Sequence, residues 1–399
     1  MPVLSLPVLS RWALIGVLVL LCSPWIIPSN KLYHQALALL LWLPALLALL
    51  NREFLRLLRQ PELIIFVVLA TWTLLVLTLS GGNDPVSQAK LPFYVLLSLL
   101  GVLLASRDPR WSIELQLGLA ALLGGVLAWV SVQYFSLTAP HEPGQRVIAI
   151  GLWDKAIMAA HAIGALAVLG CCLMGRVRSF LQAIAVALVS AGYGLFLVLN
   201  QSRGVWVAGL AVIVVMTAIR PMLGKVVGCV LFLLAIAAVC WLFPELIIQR
   251  GFSFRPELFM GGLQLFEQNM LLGLGFNSYE IPVAALNDSF KHPHNLYLDL
   301  AIRLGLPGLA LFALLWVCVA WRGWSSRGEP LGRALLALWI FSSVALLTDG
   351  IGLWRKPNAD WLITWLPVAL SLVIAVRAQE EKLTEEAMAS PLHGEGTEK

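Results

Sequence analysis

The chain has 399 residues, 60% of them apolar and only 12% charged, where a soluble domain carries about 25% charged residues. With a mean hydropathy of +0.86, it has too little polar surface to cover a water-soluble globule of this size. That excludes a soluble enzyme, a nucleic-acid-binding domain and a disordered scaffold, and it points to an all-α polytopic membrane protein. The net charge of +5 is therefore read through the bias of Lys and Arg between loops, not as affinity for nucleic acid.

A bilayer core of ~30 Å takes about 20 apolar residues per helix, which allows this chain about 12 transmembrane helices. Apolar runs fall near 12–27, 33–50, 63–79, 91–105, 114–137, 156–174, 180–199, 204–219, 226–243, 295–320, 331–348 and 361–376. The first has no small-residue cleavage site after it and is expected to stay as a helix. Cys22, Cys171, Cys172, Cys229, Cys240 and Cys318 all lie inside these runs, so they read as packing residues. Residues 1–376 form the transmembrane unit, with one long connection at 244–294. Residues 377–399 carry Glu380, Glu381, Glu385 and Glu386 and are expected to be a solvated, poorly ordered cytoplasmic tail.

With the N-terminus inside, the inner loops hold Arg52, Arg56, Arg59, Arg107, Arg110, Arg322 and Arg327. The basic excess on that side predicts two cytoplasmic termini and an outward-facing 244–294 loop. In that loop Phe259, Leu263, Phe266 and Met270 recur at helical spacing, which predicts an amphipathic helix on the membrane surface. Pro256 suits its first turn and leaves Arg255 at its entrance. Gly273 and Gly275 mark a turn after it.

Three outward helix starts gather polar residues. At Asn200-Gln201-Ser202-Arg203-Gly204 the helix N–H groups favour an anion, and the Arg203 guanidinium can grip a phosphate with two hydrogen bonds. The alternative is an arginine that snorkels to the interface. Arg255 stands at a second start, where it binds either an anionic substrate or lipid headgroups, and Arg250 competes for both roles. The third start is Lys291-His292-Pro293-His294-Asn295. Pro293 interrupts any earlier helix, and the field of the following one disfavours imidazolium, so His294 reads as a neutral proton acceptor. The alternative is a polar cap at an interface. His292 is expected to point elsewhere. Asp299 and Arg303, spaced i,i+4, neutralise each other inside the span, and Gly305 and Gly308 around Pro307 bend this helix. No pair of close outward carboxylates suggests a divalent metal, and no phosphate loop suggests ATP, so neither a metal nor a cofactor is expected.

His294-Asn295, nine residues and then Gly305-x-x-Gly308 resembles the motif of bacterial O-antigen ligases, within the superfamily of O-antigen polymerases and related lipid-linked glycan transferases. Ser202-Arg203-Gly204 and Arg255 ahead of the amphipathic helix are similar to that superfamily as well. The resemblance implies transfer of a glycan from undecaprenyl pyrophosphate to a sugar hydroxyl of lipid A–core at the periplasmic face of the inner membrane. It implies His294 as general base, Arg203 and Arg255 on the pyrophosphate, and Asn295 orienting the histidine or a sugar. Asp349 would polarise the histidine or hold acceptor. A polymerase of the same superfamily and a membrane transporter are the competing readings.

Overall fold

The computed structural model describes residues 5–138, 145–175, 178–219, 254–286 and 288–389. The expected apolar run at 226–243 lies outside the described residues, as do Arg250, Cys229 and Cys240. Among the described residues, ten helices are long and apolar enough to cross a membrane, and a shorter apolar helix follows the seventh of them. The chain is an all-α polytopic membrane protein.

The helices are α1 (Leu6–Cys22), α2 (Asn30–Ala48), α3 (Pro61–Ser80), α4 (Leu91–Ala105), α5 (Ile113–Thr138), α6 (Ala156–Leu173), α7 (Phe180–Asn200) and α8 (Arg203–Ile219). They continue with α9 (Arg255–Gln268), α10 (Leu296–Ser325), α11 (Pro330–Thr348) and α12 (Trp361–Ala389). Pro61 and Pro330 open α3 and α11 in the first turn, where a missing N–H costs nothing. Gly81, at φ 73°, ends α3.

Helix α12 is the central post, because 89% of its apolar window is buried inside the protein. Around it, α11 packs on α6, α8 and α10, α10 packs on α3, and α1 packs on α4. With lipid outside, close packing supplies the association between spans, and small residues make it possible. A Cβ on Gly16 would lie 2.4 Å from the Leu40 carbonyl oxygen, in a π-helical stretch of α2.

Charged pairs close one end of the bundle. Arg107 grips Glu380 with two 2.7 Å hydrogen bonds, Arg377 pairs with Glu114, and Arg322 reaches the buried Glu62 at 3.0 Å. These pairs correct the expectation of an unordered segment from Arg377. The helix runs on to Ala389, because carboxylates on α12 and α5 meet arginines on neighbouring elements.

At the opposite end the loops bind one another. Leu152 N donates to the Pro24 carbonyl at 2.7 Å, Asn277 Nδ2 to Ser80 at 2.8 Å, and Val147 N to Leu199 at 3.2 Å. Here α9 and a small antiparallel hairpin, β1 (Ile281–Val283) with β2 (Asp288–Phe290), cover the first half of α10. Leu258, Tyr279, Ile281, Val283, Leu298 and Ile302 form the apolar cluster between them. The amphipathic helix is thus present, and Arg255 and a first-turn Pro256 open it as expected. Leu258 and Gly262 face the rest of the protein, whereas Phe259 and Met270 are exposed. A Cβ on Gly262 would lie 2.8 Å from Leu298 Cδ2, so the glycine sets the face that approaches α10.

Candidate active site

The start of α10 is fixed first by its cap. Asn295 is in the extended region, and its Oδ1 accepts from Leu298 N at 3.1 Å, satisfying one of the open N–H groups of the first turn. The Asn295 side-chain oxygen thus caps the helix. His294, just before the cap, has φ 52°, a left-handed conformation uncommon outside glycine. Helix α11 ends at Thr348, and Asp349 turns into extended backbone. A Cβ on Gly350 would lie 2.7 Å from Leu296 Cβ, so this segment lies directly on the start of α10. The contact carries Asp349 Oδ1 to 3.1 Å from His294 Nδ1.

An ionised carboxylate only accepts hydrogen bonds, so Nδ1 carries the proton, and in the neutral imidazole Nε2 presents a lone pair. Burial of Asp349 by itself raises its pKa. The hydrogen bond from His294 and the charges of His161, His294 and Arg255 outweigh burial and hold the carboxyl below its ordinary value. His292 does not point away as expected. Its ring meets that of His294 edge to face at 4.1 Å between centroids. Burial and the neighbouring His294 charge push the His292 pKa down.

Helix α8 begins beside this pair. Gln201 is left-handed, at φ 57°, and Arg203 opens the helix. A Cβ on Gly204 would lie 2.1 Å from Thr348 Oγ1, so α8 rests on the residue just before Asp349. Asn200 is fully buried, and its amide donates to the carbonyls of Val147 and Ala156 at 2.7 and 2.9 Å. Arg146 donates to Asn200 O at 2.8 Å and to Ser202 Oγ at 2.6 Å. The polar residues of this link therefore divide: Asn200 and Ser202 hold the turn together, and Arg203 stands at the helix start. Arg255 opens α9 after Phe254, which is also left-handed at φ 55°, and its charge acts on Asp349.

The glycines of the α10 motif build a break. Gly305 has φ 66° and ψ −171°, a region that essentially only glycine occupies. Pro307 has no N–H to give the Arg303 carbonyl; Gly275 N donates to it instead at 3.0 Å. Leu274 N donates to the Ile302 carbonyl at 2.8 Å, and Leu306 N turns outward to Met270 O at 2.7 Å. Trp72 Nε1 takes the Leu304 carbonyl at 2.9 Å. The expected turn at Gly273 and Gly275, both at positive φ, is thus the partner of the break in α10. Between break and cap, Asp299 accepts from Arg303 Nε at 3.1 Å and from the Tyr279 hydroxyl. The expected self-neutralising pair is present, and Tyr279 is an added member.

The site joins four separated stretches of chain around a His–Asp pair. The family described as O-Antigen ligase matches residues 184–313. Over 372 residues the chain is 26% identical to an O-antigen ligase of Pseudomonas aeruginosa, covering 91% of this chain and 90% of that one. The chain is thus similar to the O-antigen ligases. The family match runs from within α7 to just past the break in α10. It takes in Arg203, Arg255, His294, Asn295 and Gly305, and stops before Asp349.

A second His–Asp pair went unnoticed in the sequence. His161 Nδ1 lies 2.8 Å from Asp360 Oδ1, with the histidine 2% exposed, and its charge acts on Asp349. The available signal was a lone ionisable residue inside the apolar run 156–174, a rare and costly placement in a membrane. Arg146 was equally hard to single out, because nothing near it in sequence indicates that its guanidinium braces Ser202.

Proposed function

We propose that the chain is a glycosyltransferase that moves a glycan from undecaprenyl pyrophosphate to a sugar hydroxyl of lipid A–core, at the periplasmic face of the bacterial inner membrane. The 3.1 Å contact between His294 Nδ1 and Asp349 Oδ1 carries this reading, because it leaves Nε2 available to accept a proton. In the reaction the acceptor oxygen gives its proton to His294 Nε2 and forms a bond to the anomeric carbon. The bond from that carbon to the diphosphate oxygen breaks, and the electron pair leaves with the diphosphate. Attack opposite the leaving group inverts the anomeric centre. Arg203 and Arg255, each at a helix start, hold the diphosphate where its negative charge grows. Asp349 keeps the histidine in the required tautomer and stabilises the imidazolium that forms.

The reading needs no metal ion. Purified protein given undecaprenyl-pyrophosphate glycan and lipid A–core is expected to form product in the presence of EDTA. His294→Asn, Arg203→Ala and Arg255→Ala are each expected to abolish transfer while the protein still inserts. Strict dependence on added magnesium, or full activity of the His294 variant, would overturn the mechanism.

A further inference from the structure

Beside the His294–Asp349 pair lies a cavity of about 1070 Å³, bounded by the starts of α2 and α4, the loop before α6, the first half of α10 and the segment after Asp349. It sits at the upper limit of ordinary small-molecule sites, roughly 300–1,000 Å³. Lys31, Lys155, Lys291, Arg303, Arg355 and Lys356 line it. Of these, Arg303 is neutralised by Asp299. The four lysines form no ion pair among the described residues, and one other carboxylate, Asp154, faces the cavity. The four lysines are exposed at the cavity rim, and their like charge favours an anion among them.

Behind these cations the wall is packed with aromatic rings: Trp42 and Tyr94 stack on each other at 4.6 Å, and Trp153 and Trp354 are buried. Two buried polar atoms in the same wall have no partner, the indole N–H of Trp354 and the amide oxygen of Gln88. The cavity reaches Asp299 on α10, and Ile351 and Gly352, two and three residues past Asp349. His294, Asp349, Arg203 and Arg255 do not themselves line it.

We propose that this cavity binds the acceptor through phosphate or carboxylate groups on its saccharide, so that negative charge on the acceptor is a requirement for transfer. The proposal rests on the glycan-transfer reading above and separates the two substrates: the donor diphosphate at the arginines, the anionic acceptor sugar at the lysines. The test uses the full-length protein in detergent with the substitutions Lys31→Gln and Lys356→Gln combined, both outside the His294 machinery. Binding of a phosphorylated core oligosaccharide is measured without donor, alongside steady-state transfer. The pair of substitutions is expected to weaken oligosaccharide binding and raise the acceptor KM at least tenfold. Donor KM and kcat should stay as they were, and wild-type protein should discriminate equally against a phosphate- and carboxylate-free acceptor. A rise in donor KM instead would assign the lysines to the diphosphate and overturn the proposal, as would unchanged acceptor binding. Absence of transfer by the wild-type protein, with oligosaccharide binding intact and lysine-dependent, would count against the ligase reading and not against the cavity.

Discussion

Gly204 and Thr348 meet so closely that a Cβ on the glycine would stand 2.1 Å from the threonine hydroxyl oxygen. The contact seats the helix start bearing Arg203 on the turn of α11 that delivers Asp349. Gly204→Ala is therefore expected to lower the melting temperature in detergent by the equivalent of about 1–3 kcal/mol, the usual cost of overpacking. Transfer activity should fall further than stability does. Adding Thr348→Ala removes the hydroxyl and the methyl and is expected to restore part of both, measured by thermal unfolding and by the transfer assay.

His294 at φ 52° calls for a replacement that tolerates left-handed backbone. Asparagine is enriched there, so His294→Asn should keep the melting temperature close to wild type. Its rate of transfer should drop by roughly 10²–10⁴-fold, the typical worth of a positioned general base. A matching loss of stability would instead assign the residue a structural role.

Asp349 gives a pH dependence with a definite sign. Burial, the largest single influence, raises its pKa, but the hydrogen bond from His294 and the charges of His161, His294 and Arg255 together outweigh it, so the folded-state pKa is depressed. Such a carboxylate contributes stability that is complete above its unfolded value, about 3.9. That stability is lost as pH falls through the lower folded value. Wild-type protein should thus lose stability below pH ~4 more steeply than Asp349→Asn. Thermal melts across acidic pH measure the difference. Arg255→Gln, which removes one of the charges favouring the carboxylate, should shift the loss to higher pH.

Gly305 fills a backbone region that excludes other residues, and a Cβ there would lie 2.3 Å from the Leu271 carbonyl oxygen. Gly305→Ala is expected to undo the docking of the 270–275 turn, costing at least about 1–3 kcal/mol. Hydrogen exchange should show Leu274 and Gly275 losing protection. Trp72→Phe removes one hydrogen bond to the Leu304 carbonyl and should cost only about 1 kcal/mol.

Much of the architecture was legible because membrane helices declare themselves locally. The runs at 91–105, 180–199 and 331–348 match α4, α7 and α11 to within a residue or so at each end. First-turn prolines and turn glycines gave the entrance of α9 and the 273–275 turn. Helical spacing marks α9 as amphipathic but does not say which residues meet α10: that contact selects Leu258 and the small Gly262 and leaves Phe259 exposed.

The sequence by itself determined that this chain lives in a membrane, and it determined which short polar segments open helices: Arg203, Arg255 and His294-Asn295 each stand out from apolar surroundings. Tertiary structure alone decided that these starts converge. Among the described residues, three non-glycine positions have positive φ: Gln201, Phe254 and His294. Each lies within two residues of one of those helix starts, a strain that persists only where surrounding packing imposes it. The resemblance had offered Asp349, 55 positions away, either the histidine or the acceptor, and only the fold sets it 3.1 Å from His294 Nδ1. Hydropathy and capping are properties of neighbours in sequence, whereas the approach of α8, α10 and α11 depends on small residues that let backbones meet.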